Sequence, residues 1–226
     1  MQRRQFTVSV TLASVIGFPR GALAGPISEG EAASGVRAAL ERGATAAVSR
    51  LGRADGFLRN PSVRIELPGV LRDAARLLKA IGQGWRVDAL ATAMNRAAEA
   101  AVPEARTLLV SAVRSMSVDD ALTIVQGGDN SVTQFFSGKT REPLRIKFLP
   151  IVERATLKVS LAKKYDAVAS KVANLGLLTQ EDANLNGYVT GKALDGLFFM
   201  IGEEEKKIRK DPLGTGSAIL KKVFGV

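Results

Sequence analysis

The chain has no histidine and no cysteine in 226 residues, and only 12 aromatic side chains: nine Phe, two Tyr and one Trp. Each absence excludes chemistry. Without His or Cys there is no Ser-His-Asp or Cys-His catalysis, no His- or thiolate-bound zinc, and no Cys-ligated iron–sulfur cluster. Histidine is also the side chain that moves protons most easily near neutral pH, so acid–base work would fall to carboxylates, Lys or Tyr. Without Cys there are no disulfides, and the core must hold the fold unaided. No cofactor is expected.

What is present favours helices. The chain is 46% hydrophobic and 24% charged, a globular composition rich in Ala and Leu and poor in the β-branched and aromatic mixtures of sandwiches and barrels. The first residues read as an export leader. Met1–Phe6 carries the twin arginine Arg3-Arg4 with Phe6 after it, residues 7–18 are apolar, and Ala22 and Ala24 suit cleavage before Gly25. A run of 12 residues is shorter than the roughly 20 that span a bilayer. The expected organisation is a twin-arginine-like export signal over 1–24 and a single helical domain over 25–226, with a periplasmic location and no transmembrane span in the mature chain.

Beyond residue 24 there are 29 basic and 22 acidic residues, a surplus of seven. Residues 25–130 hold 13 basic residues, 12 of them Arg, against 12 acids, while residues 131–226 hold 16, 12 of them Lys, against 10 acids. Lys is a well-hydrated point charge, so the second half reads as a solvated surface that favours anionic partners. Nucleic acid is not expected, because an exported protein does not meet it and no basic–aromatic stacking pattern occurs.

Apolar residues recur at helical spacing. Val36 to Leu51 ends at Gly52, Val70 to Ile81 lies between Pro68 and Gly82, and Val87 to Ala101 stops before Pro103. Leu108 to Met116 follows, and Ser117 caps a short helix with Asp119 and Asp120 in its first turn. Leu144 to Val159 has Pro150 as a kink or boundary, Tyr165 to Val172 is shorter, and Leu194 to Ile201 leads to a stop at Asp211-Pro212. A last amphipathic turn spans Ile219 to Phe224. Only Ser62–Leu67 alternates like a strand, and one strand makes no sheet, so it is expected to lie extended across helices. The expected fold is all-α: an irregular single-domain bundle of about seven to nine helices.

Four segments also resemble a known family. Asn60-Pro61-Ser62-Val63-Arg64-Ile65-Glu66-Leu67-Pro68 is one, and Met94-Asn95-Arg96-Ala97-Ala98-Glu99 a second. The third is Gly127-Gly128-Asp129 running to Thr133-Gln134-Phe135-Phe136. The fourth runs from Tyr188-Val189-Thr190 through Lys192–Phe198 to Glu203–Arg209. Together they resemble the bacterial domain of unknown function 4197 family over nearly all of the chain beyond the leader. The resemblance implies exported or periplasmic helical proteins with no assigned activity, and it brings no catalytic residues.

The candidate sites each have a plain structural alternative. Asp182, Asn184 and Asn186 mimic the start of an EF-hand loop, but position 12 is Ala193, so a polar turn capping the next helix is the expected reading. Gly127–Ser131 lacks any phosphate-loop spacing and reads as one helix end followed by another start. Glu203–Lys210 is expected to be a solvated face with Glu203–Lys207 and Glu205–Arg209 pairs. Asn95, beside Arg96 and Glu99, sits near the apolar face of its helix, where a buried polar network would fix register or touch a ligand. Phe198 and Ile201 belong to an apolar block expected in the core, or else lining a groove for an acyl chain. The leading expectation is a non-enzymatic envelope protein that binds a lipid, an anionic ligand or a protein partner. The alternative is a carboxylate-dependent, hydrolase-type enzyme using Glu99, Asp195 or Glu203.

Overall fold

A computed structural model describes residues 28–128, 131–158, 160, 163–165 and 184–211, apart from the side chains of residues 32, 70, 73, 74, 122, 125, 126, 132, 135, 136 and 139. Arg3, Arg4, Phe6, Ala22 and Ala24 of the expected leader, Asp182 of the calcium-loop mimic, most of the Tyr165–Val172 segment and the expected Ile219–Phe224 element lie outside them. The described residues form seven α-helices and one 3₁₀ turn, with no strand. In chain order these are α1 (Glu29–Leu51), α2 (Gly69–Ala80), α3 (Gly84–Ala101), the 3₁₀ turn Val102–Glu104, α4 (Ala105–Arg114), α5 (Val118–Gln126), α6 (Ser131–Lys158) and α7 (Leu185–Lys210). Among the described residues no helix is long and apolar enough to cross a membrane.

The helix ends follow local chemistry. Ser28 accepts a hydrogen bond from Glu31 N–H while Glu31 Oε2 accepts one from Ser28 N–H, a reciprocal box that starts α1. Ser117 and Asp120 repeat the device at α5. Gly52 ends α1, and Gly82 turns α2 into α3 with φ of 77°, a conformation that glycine adopts without steric penalty. Of the two roles expected of Pro150, kink or boundary, the boundary is corrected. Pro150 neither begins nor ends a helix, because α6 starts at Ser131 and runs through both Pro143 and Pro150. Each proline removes one backbone bond, but packing of α6 against α7 and α3 supplies the offsetting contacts.

One apolar cluster draws from every helix. Its largest fully buried side chains include Phe57, Phe148, Leu40, Leu51, Leu90, Met94 and Leu109. Helix α7 is central, packed against α1 and α6, which is why Leu194, Leu197, Phe198 and Ile201 are all buried. Alanines at 91, 93, 97, 98 and 101 line α3 and permit close helix approach.

Between α1 and α2 the chain crosses this bundle without forming a helix. Val63, Ile65 and Leu67 point inward while Ser62, Arg64 and Glu66 face solvent, the alternation of a strand that has no strand beside it. A buried extended backbone needs partners for its N–H and C=O groups. Asn95 of α3 supplies them. Its Oδ1 accepts from Ile65 N–H at 2.9 Å, and its Nδ2 donates to Ile65 O at 2.9 Å and to Ala91 O at 2.8 Å. The fully buried amide thus replaces one rung of a β-ladder. Removing it leaves two buried backbone groups unpaired, so Asn95→Ala is expected to lower stability by about 2–4 kcal/mol in urea unfolding. Asn95→Asp, which cannot donate to Ile65 O, should be no better.

Candidate functional site

One turn of α3 beyond Asn95, Glu99 performs the same task for the preceding loop. Its Oε1 accepts from the backbone N–H groups of Phe57 and Leu58, both at 3.0 Å, and its Oε2 accepts from Arg96 Nη1 at 2.6 Å. Arg96 Nη2 reaches on to Asp55 Oδ1 at 2.7 Å. Asp55 has φ of 65°, a left-handed backbone that Asp tolerates better than most residues, and the salt bridge holds it there. The Glu99 carboxylate keeps the Arg96 guanidinium above its ordinary pKa, with burial opposing and Asp55 assisting. Phe57, held by its own N–H, inserts its ring against Gly196 of α7. A Cβ at Gly196 would lie 2.8 Å from Phe57 Cε1.

Glu99 is therefore fully engaged in holding backbone. The other two carboxylate candidates stand apart from it, on α7. Asp195 is paired with Arg141 and Lys192, and Glu203 with Lys206 at 2.9 Å. The three share no partner. No group of three or more acids among the described residues could hold a metal ion. Asn184 caps α7, its Oδ1 accepting from Gly187 N–H, and Asn186 Oδ1 accepts from Thr156 Oγ1, both at 2.9 Å. Phe198 is buried with the Arg141 guanidinium 6.0 Å from its ring. Ile201 borders a cavity of about 10 Å³ with Leu40, Gly43 and Ile208, room for one water and not for an acyl chain.

The acidic run at the end of α7 differs from expectation. Glu203 pairs with Lys206 rather than Lys207, and Glu204 takes Lys207 together with Arg50 of α1. Glu205 is not on a solvated face at all. It is 6% exposed, and its Oε2 accepts from Thr133 N–H and Oγ1 at the first turn of α6, at 3.2 and 3.0 Å. Its Oε1 accepts from Arg209 Nε at 3.0 Å. Arg209 Nη2 then donates to Ser131 Oγ and to Ile124 O, near the end of α5. An anion thus meets the positive end of α6 and a cation the negative end of α5, the arrangement that helix dipoles favour. The Gly127-Gly128 turn between these helices is locked from outside itself. Sequence reasoning placed the Glu205–Arg209 pair but missed its burial. The available signal was Ile201, Glu205 and Ile208 falling on one helical stripe.

A polar cleft beside the extended segment was not anticipated. A cleft of about 400 Å³ lies between the extended segment (Arg64, Glu66, Leu67), α2 (Arg72, Ala75, Arg76, Lys79) and α3 (Val87, Asp88, Ala91). Arg64 and Glu66 pair with each other at 3.2 Å. The other charged lining residues are Arg72, Arg76, Lys79 and Asp88. Neither Arg72 nor Lys79 has an ion-pair partner among the described residues. Leu67, Ala75, Val87 and Ala91 give the cleft an apolar side. Nearby, the Tyr188 hydroxyl donates to Glu66 O at 2.9 Å. A wider cleft, of about 570 Å³, lies between α1 and the end of α7 at Asp211, where the described chain stops.

An all-α protein whose buried polar side chains chiefly hold backbone in place is the class that fold and geometry define. The chain belongs to DUF4197, a family described as a protein of unknown function, whose model matches residues 26–225. No curated protein and no solved structure matches the chain.

Two measurements follow. Glu205→Ala and Arg209→Ala in a double-mutant cycle should show a coupling of about 1–3 kcal/mol, because both act on one junction. Burial pushes the Tyr188 phenol above its ordinary pKa, with Arg72 opposing and Glu66 and Asp195 adding to the rise. A raised folded pKa means that stability is full at neutral pH and falls as pH climbs through it. In a near-ultraviolet absorbance titration one of the two tyrosines should therefore ionise late, and Tyr188→Phe should remove that phase.

Proposed function

We propose that this protein is an exported, non-enzymatic binding protein of the cell envelope that takes an anionic component with an apolar part into the cleft between Ser62–Leu67, α2 and α3. The observation that carries this reading is the cleft's charge: cations on one wall, an apolar side and one acid outside the Arg64–Glu66 pair. Such a site attracts an anion and offers surface to a short apolar stem. The export half of the proposal rests on the Arg3-Arg4 and Ala22/Ala24 pattern. The family match supports it by beginning at residue 26, just past the expected cleavage point.

The carboxylate-enzyme alternative draws no comparable support. Glu99 is engaged by two backbone N–H groups and a guanidinium, and Asp195 and Glu203 have their own cations. Two carboxylates converging on a concave site, as acid and base, would be the favourable sign for that reading.

The test is native mass spectrometry of the protein purified from its own envelope fraction. An anionic mass retained by the wild type and lost from the Arg72→Glu/Lys79→Glu variant supports the proposal. Both side chains are exposed, so the variant should fold normally by circular dichroism. A wild type that retains nothing, or a variant that retains the same mass, overturns it.

A further inference from the structure

The α2–α3 hairpin carries a second surface that the cleft does not use. Leu71, Ala75 and Leu78 seat α2 on the core. On one flank of that buried stripe lie the cleft cations Arg72, Arg76 and Lys79. On the opposite flank, at 3.6 residues per turn, lie Leu77 and Ile81. These two remain 47% and 65% exposed, and Trp85, in the first turn of α3, is 61% exposed. Three large apolar side chains therefore project from one tip within nine residues, around the turn at Gly82.

The tip is also cationic. From Arg76 to Val87 the chain carries Arg76, Lys79 and Arg86 and no acid. Arg86 is held in place, its guanidinium 4.5 Å from the centre of the Trp85 ring and its Nε donating to Gln83 Oε1 at 3.1 Å. The Lys79 stem lies beside the backbone of Gly84. A tryptophan whose ring is backed by a guanidinium has an apolar body and a cationic edge, the character that suits the boundary between acyl chains and headgroups.

We infer that the α2–α3 tip, through Leu77, Ile81 and Trp85 with Arg86, docks the protein onto an anionic phospholipid bilayer surface. Shape favours lipid over a protein partner. A stable protein interface buries upwards of about 1,000 Å² with complementary packing, whereas this tip is a short turn with three exposed large apolar side chains. A bilayer needs no complementary pocket. It admits a few apolar side chains to headgroup depth and attracts nearby cations through its surface potential. The inference does not rest on the cleft being filled.

Trp85 is the only tryptophan, so its emission reports the tip alone, whatever other segments do. With phosphatidylglycerol vesicles the full chain should show a blue shift and quenching by brominated acyl chains. Phosphatidylcholine vesicles should give neither, and raising salt should weaken binding about tenfold or more. Ile81→Glu and Leu77→Glu, both at exposed positions, should abolish the shift, and Arg86→Glu should weaken it, with circular dichroism unchanged. Three results would overturn the inference: no shift in the wild type with anionic vesicles, an equal shift with zwitterionic ones, or a folded Ile81→Glu protein that responds as the wild type does. A shift induced by an acidic polypeptide but by no vesicle would also overturn it and assign the tip to protein binding.

Discussion

Everything between α1 and α2 depends on two side chains one turn apart on α3. Asn95 bonds both backbone groups of Ile65, and Glu99 bonds the N–H groups of Phe57 and Leu58. Buried backbone without partners is costly, and this stretch has neither a helix nor a sheet of its own to provide them. With the stretch pinned, Phe57 reaches α7 at Gly196, where a larger residue would collide with the ring, and Val63, Ile65 and Leu67 enter the core. The pinned stretch leads directly into α2, whose own Leu71, Ala75 and Leu78 then seat it on the core beside the cleft it walls.

A second lock works by the same logic at the other end of the chain. Glu205 and Arg209 of α7 hold the start of α6 and the end of α5. The four segments that carry the family resemblance thus pair off. Asn60–Pro68 is held by Met94–Glu99, and the Gly127–Phe136 region is held by Glu203–Arg209. Residues that read like motifs act here as fasteners between distant stretches of one chain. The buried carboxylates of Glu99 and Glu205 are both engaged by backbone N–H groups and a guanidinium.

Much of the architecture was legible because it rests on short-range rules. Gly52, Pro68, Gly82, Pro103 and Ser117 mark helix boundaries through local dihedral and capping preferences, and the structure places boundaries beside each of them. The extended reading of Ser62–Leu67 and the buried polar role of Asn95 were legible separately, since both rest on periodicity. That one satisfies the other was not, because the partners lie 30 residues apart and no spacing encodes the contact. Pro150, read as a kink or boundary, misled as a boundary for the converse reason. A local penalty marked a boundary, and long-range packing of α6 on α7 and α3 outweighed it. Glu205 misled because neighbouring charges on a helix look solvated until the turn they lock is known.

The distribution of charge shows the same limit in functional terms. By count, the basic surplus lies in the Lys-rich second half, which suggested that an anionic partner would meet that surface. In space, several of those cations are occupied along α7: Lys192 by Asp195, Lys206 by Glu203, Lys207 by Glu204 and Arg209 by Glu205. The first half is nearly neutral by count, yet α2 and its neighbours collect Arg72, Arg76, Lys79 and Arg86 within one hairpin, while the acids Asp55 and Glu99 balance Arg96 further along α3. Net charge therefore says little about where an anion would bind. Arg72 and Lys79, which have no ion-pair partner among the described residues and lie in a cleft with an apolar side, are both on α2.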